Sequence, residues 1–593
     1  MDSYHDPFEG DEEAALRYAI ALSLQDPNIP MSPATAQKPL QLEQSEDEDF
    51  DLDGGPKCPP TPKKSAQAAD RSNKGNPATS RSLSTPQATS SSDQSGGLSA
   101  MGLDRKKMEE ERLARVAKRK APHDDTPPQR CPQRQRINID SQTGCVPSAT
   151  TASTSAYPKS PRLPYPKGVV KKTWARGYPR QDDIKIEEIL QKEQLELAVL
   201  SSFQWDDEWL LSKIDIKKTK IVCIAFASND YQKEEMRANV PKDRIRFCFP
   251  PMMPAACMHS KLQLLKFSNY LRIVIPTGNL VPYDWGETGV MENMVFLIDL
   301  PTTTDPTNQL TEFGQELCHF LTASGLDESL VKSLSKYDFS QTSQYRFIHT
   351  IGQSHAGGGW QRTGYCGLGK AVESLGLATT EEIEVDFVVS SLGSVNSDLT
   401  SAIYNAAQGD NGLREYEKRT TGGSKKKAGQ KTDLSYRPDN FRIYFPSQET
   451  VTQSRGGKNS GGTICLQSKW WDAPTFPREL VHDCKSVRPG LLMHTKILLV
   501  RHLRHGKSQP SWAYLGSANL SESAWGRLVK DRASGQPKLN CRNWECGVLI
   551  PMEGQATKSD WKSFEKRIPI PMVIPAEAYG RTNSKRPWLF LEG

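Results

Sequence analysis

The sequence predicts an α/β protein with two pseudo-symmetric domains, each a mixed β-sheet flanked by helices, preceded by a disordered N-terminal region. Apolar segments of strand length are interspersed with helical patterns from about residue 175 to the end of the chain. One short motif occurs twice in that part, once in each half. The composition, 36% hydrophobic residues with a mean hydropathy of −0.61, is too polar for 593 residues that fold throughout.

The N-terminal part, residues 1–26, contains a predicted amphipathic helix at 11–26 (DEEAALRYAIALSLQD). Residues three and four positions apart form its apolar and small-residue face: Leu16, Ala19, Ile20 and Ser23. Residues 27–174 are rich in Pro, Ser, Thr, Gln and charge, so they cannot bury enough apolar surface to offset chain entropy and are predicted to be disordered. Within them, the basic clusters of residues 105–120 (RKKMEEERLARVAKRK) predict a nuclear localisation signal, with a solvated charge run as the alternative.

Charge, cysteine usage and the lack of long apolar runs restrict the class of protein. A net charge of +6 is compatible with a polyanionic partner. The 12 Cys show no metal-ligand spacing, which favours a reduced intracellular compartment. Because no apolar signal segment and no apolar run of membrane-spanning length is present, we expect a soluble intracellular protein.

The part predicted to be ordered is divided near residue 345 into two domains, 175–345 and 346–593. Runs of apolar and β-branched residues predict buried strands in both domains. These runs cover 217–226, 244–250, 271–279 and 294–300 in the first domain, and 384–391, 442–447, 496–503, 511–519 and 546–550 in the second. A helical pattern covers residues 311–325.

The repeated motif places a histidine and a lysine two residues apart in each domain. The first copy reads MHSK and the second MHTK, and each continues through a turn and a second strand to a small-residue–Asn–Leu segment, TGNL or SANL. The two copies supply six polar residues, which are His259, Lys261, Asn279, His494, Lys496 and Asn519. Strand side chains alternate between faces, so the His and Lys of each copy are predicted to share one face of a strand. One copy alone is typical of an exposed strand edge, whereas two copies with the same continuation indicate a duplicated site.

These six residues suit phosphoryl transfer. Lysine and asparagine can bind the non-bridging oxygens of a phosphate, and a neutral imidazole can attack phosphorus. The second histidine, when protonated, can donate to the leaving oxygen and then deprotonate water. No Asp and Glu cluster at metal-ligand spacing accompanies the repeats, so neither a metal ion nor another cofactor is predicted.

The two motifs resemble the HKD signature of the phospholipase D superfamily, in which an acid normally follows the lysine. Five residues after each lysine, this chain holds Lys266 and Arg501 instead. Loss of both acids departs from the lipid-cleaving branches, and the chain more closely resembles the tyrosyl-DNA phosphodiesterase family, whose motifs lack them. That family removes a tyrosyl peptide left on a DNA 3′ phosphate by a trapped type I topoisomerase.

The resemblance covers most of residues 195–593 and implies further site residues. Glu545, in NWECGVLI, matches a residue that hydrogen-bonds and tunes a catalytic histidine. The segment SSLGS (390–394) resembles a loop that binds DNA phosphate through two serines. The implied substrate contacts are Ser391, Ser394, Phe203, Trp588 of KRPW (585–588), and Glu292, which stands with Asn293 as a candidate counterpart of a family glutamine.

Carried over by position, the resemblance implies that His259 is the nucleophile and forms a covalent phosphohistidine with the DNA 3′ end. His494 is then the general acid for the tyrosine oxygen and afterwards the base for water, leaving a 3′ phosphate. Two other classes compete with this function: a phospholipase D-type lipid phosphodiesterase, and a non-catalytic ubiquitin- and DNA-binding adaptor.

The expected partners are DNA and ubiquitin. The DNA, single- or double-stranded, carries tyrosyl peptides on its 3′ ends. The helix at 11–26 resembles a ubiquitin-interacting motif, which implies binding of ubiquitin or a ubiquitinated protein; a generic amphipathic helix is the alternative. We expect a monomer located in the nucleus.

Overall fold

A computed structural model of the chain describes residues 163–253, 256–421, 436–502, 510–552, 561–579 and 585–590. The predicted helix at 11–26 and the basic segment at 105–120 lie outside the described residues. So does most of the segment predicted to be disordered.

Strands make up most of the regular structure. Those of the first half are β1 (Val169–Thr173), β2 (Asp183–Ile184), β3 (Leu197–Ser201), β4 (Lys220–Ile224), β5 (Ile245–Cys248), β6 (Cys257–Met258), β7 (Gln263–Lys266), β8 (Tyr270–Pro276), β9 (Met291–Glu292) and β10 (Met294–Pro301). Those of the second half are β11 (Arg346–Thr350), β12 (Ser354–His355), β13 (Ile383–Val388), β14 (Phe441–Phe445), β15 (Val481–Asp483), β16 (Leu492–Met493), β17 (Ile497–His502), β18 (Trp512–Gly516), β19 (Arg527–Lys530), β20 (Pro537–Asn540) and β21 (Asn543–Pro551).

The helices are short. They are α1 (Ile186–Leu190), α2 (Asp207–Ser212), α3 (Asp230–Ala238), α4 (Glu312–Ala323), α5 (Glu328–Ser333), α6 (Gly364–Ser374), α7 (Ser397–Ala407), α8 (Leu413–Thr421), α9 (Gln448–Thr452), α10 (Ser468–Trp471), α11 (Glu522–Trp525) and α12 (Lys562–Glu565). Many begin at a side-chain cap; the Asn396 side chain, for example, accepts a hydrogen bond from the third residue of α7, Leu399. Within the described residues, no helix is long and apolar enough to cross a membrane.

Two large mixed sheets repeat one topology. The first has the strand order β2-β1-β10-β8-β7-β3-β4-β5, and the second β11-β21-β18-β17-β13-β14-β15, with β6 added on β21. From β1 and β11 onward the two orders match strand for strand. The directions match too, because the pairs from β3 to β5 and from β13 to β15 are parallel and the others antiparallel. The predicted α/β architecture with two pseudo-symmetric sheets is therefore confirmed.

The two sheets share one apolar core. Residues of β8 and β10, such as Ile273 and Phe296, belong to the same buried cluster as Leu499 of β17 and Val548 of β21. The opposite face of the second sheet packs in another buried cluster with α6 and α7, where Ile403 is fully buried. Each of the predicted strands is present, and the division of the chain into two domains near residue 345 stays a prediction.

The segment predicted to be disordered, residues 27–174, extends too far toward the C-terminus. Residues 169–173 form β1, which pairs along Val169–Lys172 with β10. The segment VVKKT looks half charged, but the strand buries Val170 and Lys172 on the sheet. Pairing with a long apolar strand outweighs the local composition.

The placement of the repeated His and Lys on one continuous strand is also wrong. His494 and Lys496 lie between β16 and β17, and His259 and Lys261 lie between β6 and β7. The strand ladder breaks there because the chain changes partner: β16 pairs with β9 of the first half, whereas β17 pairs with β13 and β18. The motif therefore occupies the point at which each chain segment crosses from one half to the other.

Candidate active site

The two copies of the motif are joined through backbone hydrogen bonds that cross between the halves. The His259 N–H donates to the Trp544 carbonyl at 3.0 Å, and the His494 N–H donates to the Glu292 carbonyl at the same distance. Parallel bridges β6–β21 and β16–β9 lie directly before these bonds. Each histidine is thus held by a strand of the opposite half.

Each histidine also takes a carboxylate from the opposite half. Nδ1 of His259 lies 2.8 Å from Oε2 of Glu545, and Nδ1 of His494 lies 3.1 Å from Oδ2 of Asp284. All four side chains are at least nine-tenths buried. A carboxylate that accepts the Nδ1 hydrogen leaves Nε2 as the nitrogen that faces a reacting group. Asp284 is not among the residues predicted from the sequence.

The two lysines are arranged alike. Lys261 and Lys496 are buried, and the ammonium of each donates to the backbone oxygen of the histidine two residues earlier, at 2.8 Å in both cases. A buried ammonium next to each histidine attracts an anion strongly, because the surroundings screen its charge poorly.

The two asparagines are held by their side-chain oxygens. Oδ1 of Asn279 accepts from the Gln204 N–H at 3.3 Å, and Oδ1 of Asn519 accepts from the N–H groups of Ser390 and Ser391 at 3.2 and 3.0 Å. With the oxygen fixed in this way, each amide turns its NH₂ group toward any anionic oxygen that enters. The loop SSLGS therefore already supports the site by orienting Asn519.

The Glu545 carboxyl has a pKa close to neutral pH. Burial raises its pKa to about 7, while Lys261 and Lys496 favour the ionised form. Ser517 and Asn543 also favour ionisation by donating hydrogen bonds to it. Because lysines of both copies act on this one carboxyl, the two sets of residues share a single site.

His494 and Asp284 both lose their protons readily. Burial lowers the pKa of His494 to about 4; Asp284 opposes this shift, and Lys496 and Lys261 add to it. Burial alone would raise the pKa of Asp284, but His494, the Asn279 N–H and Lys496 outweigh it, so that this pKa lies below its ordinary value. At neutral pH His494 is therefore a neutral imidazole that donates from Nδ1 to the Asp284 carboxylate.

Glu292 and Asn293 differ in their surroundings. The Glu292 side chain is fully buried, accepts a hydrogen bond from Ser486 and pairs with Arg488 at 3.3 Å, so its carboxylate already has protein partners. These contacts hold Glu292 in β9, beside the strand that precedes His494, and contact of Glu292 with substrate stays a prediction. The backbone carbonyls of Glu292 and Trp544 accept the N–H groups of His494 and His259, and Asn293 and Glu545 are the residues that follow them. The Asn293 side chain donates to Asp284 at 3.1 Å. Asn293 is thus the geometric counterpart of Glu545.

The remaining predicted substrate contacts fall into two groups. The Phe203 ring lies 5.4 Å from that of His259, and Ser391 bonds to Asn519 through its backbone, so both lie beside the site; Ser394 is three residues further along the same loop. Trp588 is 3% exposed, and its indole N–H donates to the Gly461 carbonyl at 3.2 Å. Direct contact of these side chains with substrate stays a prediction.

The two cations at the positions of the missing acids have partners of their own. Lys266 pairs with Glu196 at 3.1 Å. Arg501 pairs with Asp386 at 2.8 Å and lies over the Trp561 ring at 3.9 Å. These contacts hold the strands that carry them. Among the residues that the structure describes, no group of three or more His, Cys, Asp or Glu is placed to hold a metal ion.

The site lies where short strands of each half pair with strands of the other half. It brings together two histidines with carboxylate partners, two buried ammonium groups and two oriented amides. The fold and the site together define a phospholipase-D-like phosphodiesterase. Residues 169–580 match the tyrosyl-DNA phosphodiesterase family. The chain belongs to that family.

Individual members of the family and their structures show the extent of the similarity. A probable tyrosyl-DNA phosphodiesterase of Caenorhabditis elegans is 27% identical over 347 residues, which are 56% of this chain and 68% of the relative. Tyrosyl-DNA phosphodiesterase 1 of Drosophila melanogaster is 24% identical over 420 residues, 67% of this chain and 68% of the relative. The crystal structure of the yeast tyrosyl-DNA phosphodiesterase superposes over 71% of this chain and 100% of its own, with a TM-score of 0.51 at 18% identity, and so shares the fold.

Proposed function

We propose that this protein is a DNA-repair phosphodiesterase that hydrolyses the bond between a tyrosine and a DNA 3′ phosphate, and related 3′ adducts, through a covalent phosphohistidine. The observation that carries this proposal is the pairing of His259 with Glu545 and of His494 with Asp284, each across the two halves, around one pair of lysines. Two imidazoles that both present Nε2 to one anion site match a reaction with a nucleophile on one side and an acid on the other.

The first step is attack on phosphorus. Nε2 of His259 carries a lone pair when its Nδ1 hydrogen is donated to ionised Glu545, so it forms the bond to phosphorus while the tyrosine oxygen departs. Lys261, Lys496 and the two amides of Asn279 and Asn519 bind the non-bridging oxygens, whose charge they stabilise as it develops.

His494 serves the leaving group. Negative charge on a bound phosphodiester favours the imidazolium, so substrate binding raises the proton affinity of His494, whose pKa burial lowers in the free protein. The proton passes from Nε2 to the tyrosine oxygen. A tyrosine phenolate, with a pKa of about 10, can also depart unaided, and general-acid help contributes roughly 10²–10⁴ in rate.

The second step releases DNA with a 3′ phosphate. His494, neutral again, removes a proton from water, and the water oxygen displaces His259 from phosphorus. Phe203 and Ser391 contact residues of this set, and together with Ser394 and Trp588 they are the proposed contacts for the DNA strand.

The decisive experiment uses the full chain and an oligonucleotide that ends in a 3′ phosphotyrosine, in buffer containing EDTA. Release of tyrosine with a 3′-phosphate oligonucleotide supports the proposal. Phosphatidylcholine vesicles, tested in parallel, examine the lipid phosphodiesterase, which choline release without tyrosine release would support. DNA binding with no release from either substrate would support the non-catalytic adaptor. Either of the latter two results would overturn the proposal.

For the N-terminal part, whose residues lie outside the described structure, we propose ubiquitin binding by the segment 11–26, predicted from its sequence to be helical, through Ala19 and Ser23. Small residues at these two positions let an apolar surface approach a helix closely. Titration of the full chain with ubiquitin tests this, with Ala19→Arg as the variant that should abolish binding and Gln25→Arg, outside the apolar stripe, as the matched control. Unchanged affinity in Ala19→Arg would refute the assignment.

Localisation and oligomeric state complete the proposal. The basic residues of 105–120 would direct the protein to the nucleus, and the enzyme would act as a monomer because both halves of the site come from one chain. Imaging of a tagged chain with Lys118, Arg119 and Lys120 changed to Ala tests the first statement, and light scattering tests the second.

A further inference from the structure

Asp284 joins three separate segments of the site. It is fully buried, and its Oδ2 accepts the Asn279 N–H at 2.6 Å and lies 3.1 Å from His494 Nδ1. Its Oδ1 lies 3.1 Å from the Asn293 side-chain nitrogen, which also donates to the Asp284 backbone oxygen at 2.9 Å. A buried carboxylate with every contact taken by a donor is held in one orientation, with one oxygen directed at the imidazole.

The carboxylates of the two halves occupy different places in the repeat. The repeat continues beyond Asn279 and Asn519 to a Trp-Gly pair in both copies, NLVPYDWG and NLSESAWG. In the second copy Ala524 stands where the first has Asp284, and in the first copy Asn293 stands where the second has Glu545. Each half therefore supplies one carboxylate, from a different position, and the two histidines receive partners that are not equivalent.

We propose that Asp284 is the positioning residue that gives His494 its acid and base role, by holding the Nδ1 hydrogen and stabilising the imidazolium. This inference rests on the proposed function. The reason is geometric: an acceptor-only carboxylate on Nδ1 fixes the tautomer, so that Nε2 is the nitrogen that gives and takes the proton. Asn293 supports this role by fixing Asp284, whereas Glu545 has no such role toward His494.

The charges around the His494–Asp284 and His259–Glu545 pairs are consistent with the assignment of the acid and base role to His494. The groups that act on His494 are Asp284, which favours its protonated form, and Lys496 and Lys261, which oppose it together with burial. Asp284 has a pKa below its ordinary value and stays ionised while His494 gains and loses a proton. Glu545 has a pKa raised to about 7 by burial and cannot offer a permanent charge.

The test is Asp284→Asn in the full chain, assayed with 3′-phosphotyrosyl DNA. We expect attack by His259 to persist, because a phenolate is a tolerable leaving group, and hydrolysis of the phosphohistidine to slow by roughly 10²–10⁴-fold. Covalent enzyme–DNA should therefore accumulate, and the pH dependence of its breakdown should shift. Asp299→Asn is the matched control, because Asp299 is also fully buried but pairs with Arg272 at 2.7 Å on the first sheet. It should lower thermal stability without accumulating adduct.

A second variant tests the proposal if Asp284→Asn does not fold. Asp284→Glu keeps the charge but displaces it, so it should accumulate less adduct than Asp284→Asn and more than the unmodified protein. Wild-type hydrolysis in the folded variant, with no adduct, would overturn the proposal. Absence of any adduct or product with the unmodified protein would instead overturn the proposed function, so the two failures are distinguishable.

Discussion

His259 and Glu545 lie 286 positions apart in the chain, yet their Nδ1 and Oε2 atoms are 2.8 Å apart. The contact joins the segment between β6 and β7, in the first half, to β21 in the second half. His494 and Asp284 form the mirrored contact from the opposite halves. Neither half can build a complete histidine–carboxylate pair alone, so the chemistry depends on the packing of the two sheets.

The pH dependence of adduct formation should report Glu545. Its pKa of about 7 means that the carboxyl takes up a proton as the pH falls through neutrality. The protonated carboxyl donates to His259 Nδ1, which moves the imidazole hydrogen to Nε2 and removes the nucleophilic lone pair. We expect single-turnover adduct formation to decrease below about pH 7, and Glu545→Gln to be slower by roughly 10²-fold or more with this pH dependence abolished. An unchanged pH profile in Glu545→Gln would assign the titration to another group.

The same variant should be more stable than the unmodified protein at alkaline pH. The folded pKa of Glu545 lies above the value of an unfolded glutamate, so the folded state binds the proton more tightly and loses stability as the pH rises from about 4.5 to 7. Gln mimics the protonated form. We expect Glu545→Gln to gain on the order of 2 kcal/mol at pH 8 and to lose that advantage near pH 4.5.

Urea unfolding at a series of pH values measures this difference. Glu316→Gln is the control of opposite sign, because hydrogen bonds and charge from His349 and Arg362 outweigh burial and lower the Glu316 pKa to about 2. The ionised form of Glu316 is the stabilising one, so this variant should be less stable at pH 8 and approach the unmodified protein only as the pH falls toward 2. A Glu545→Gln protein that is less stable at pH 8 would show that its carboxylate is favoured by folding.

His259→Ala should form no covalent adduct. The variant lacks the imidazole nitrogen that bonds to phosphorus. His494 should not take over as the nucleophile, because its contact with Asp284 holds it in position to protonate the leaving group. Denaturing gels of enzyme incubated with a labelled 3′-phosphotyrosyl oligonucleotide measure the adduct. His349→Ala is a suitable control, since His349 is equally buried but contacts Glu316. A phosphoenzyme in purified His259→Ala would reverse the assigned roles.

The residues of the duplicated motif could be predicted from the sequence because their spacing is local. His259 and Lys261, or His494 and Lys496, are neighbours whatever the fold, and two copies with one continuation are a specific signal. The prediction that each motif lies on one continuous strand was wrong. The strand is interrupted because the short strands before the motifs pair with distant segments, β9 and β21, which local sequence does not reveal.

The carboxylate at His494 could not be predicted in the same way. Asp284 precedes His494 by 210 positions, and only the packing of the two halves brings them together. A signal was nevertheless present, because the repeat extends to Trp285-Gly286 and Trp525-Gly526, and the position directly before the tryptophan is an acid in one copy, Asp284, and an alanine in the other. The choice between Glu292 and Asn293 also needed the structure, since it rests on which backbone oxygen binds the His494 N–H.

His494→Ala should accumulate the covalent adduct that His259→Ala lacks. Attack by His259 continues, because Lys261, Lys496 and the Glu545 contact are untouched, and a phenolate departs without full protonation. Without a base for water, the phosphohistidine should persist, with steady-state turnover lower by roughly 10²–10⁴-fold. His502→Ala is the control, since His502 is buried at the end of β17 and outside the site, and it should turn over normally. Normal turnover without trapped DNA in His494→Ala would mean that another group activates the water.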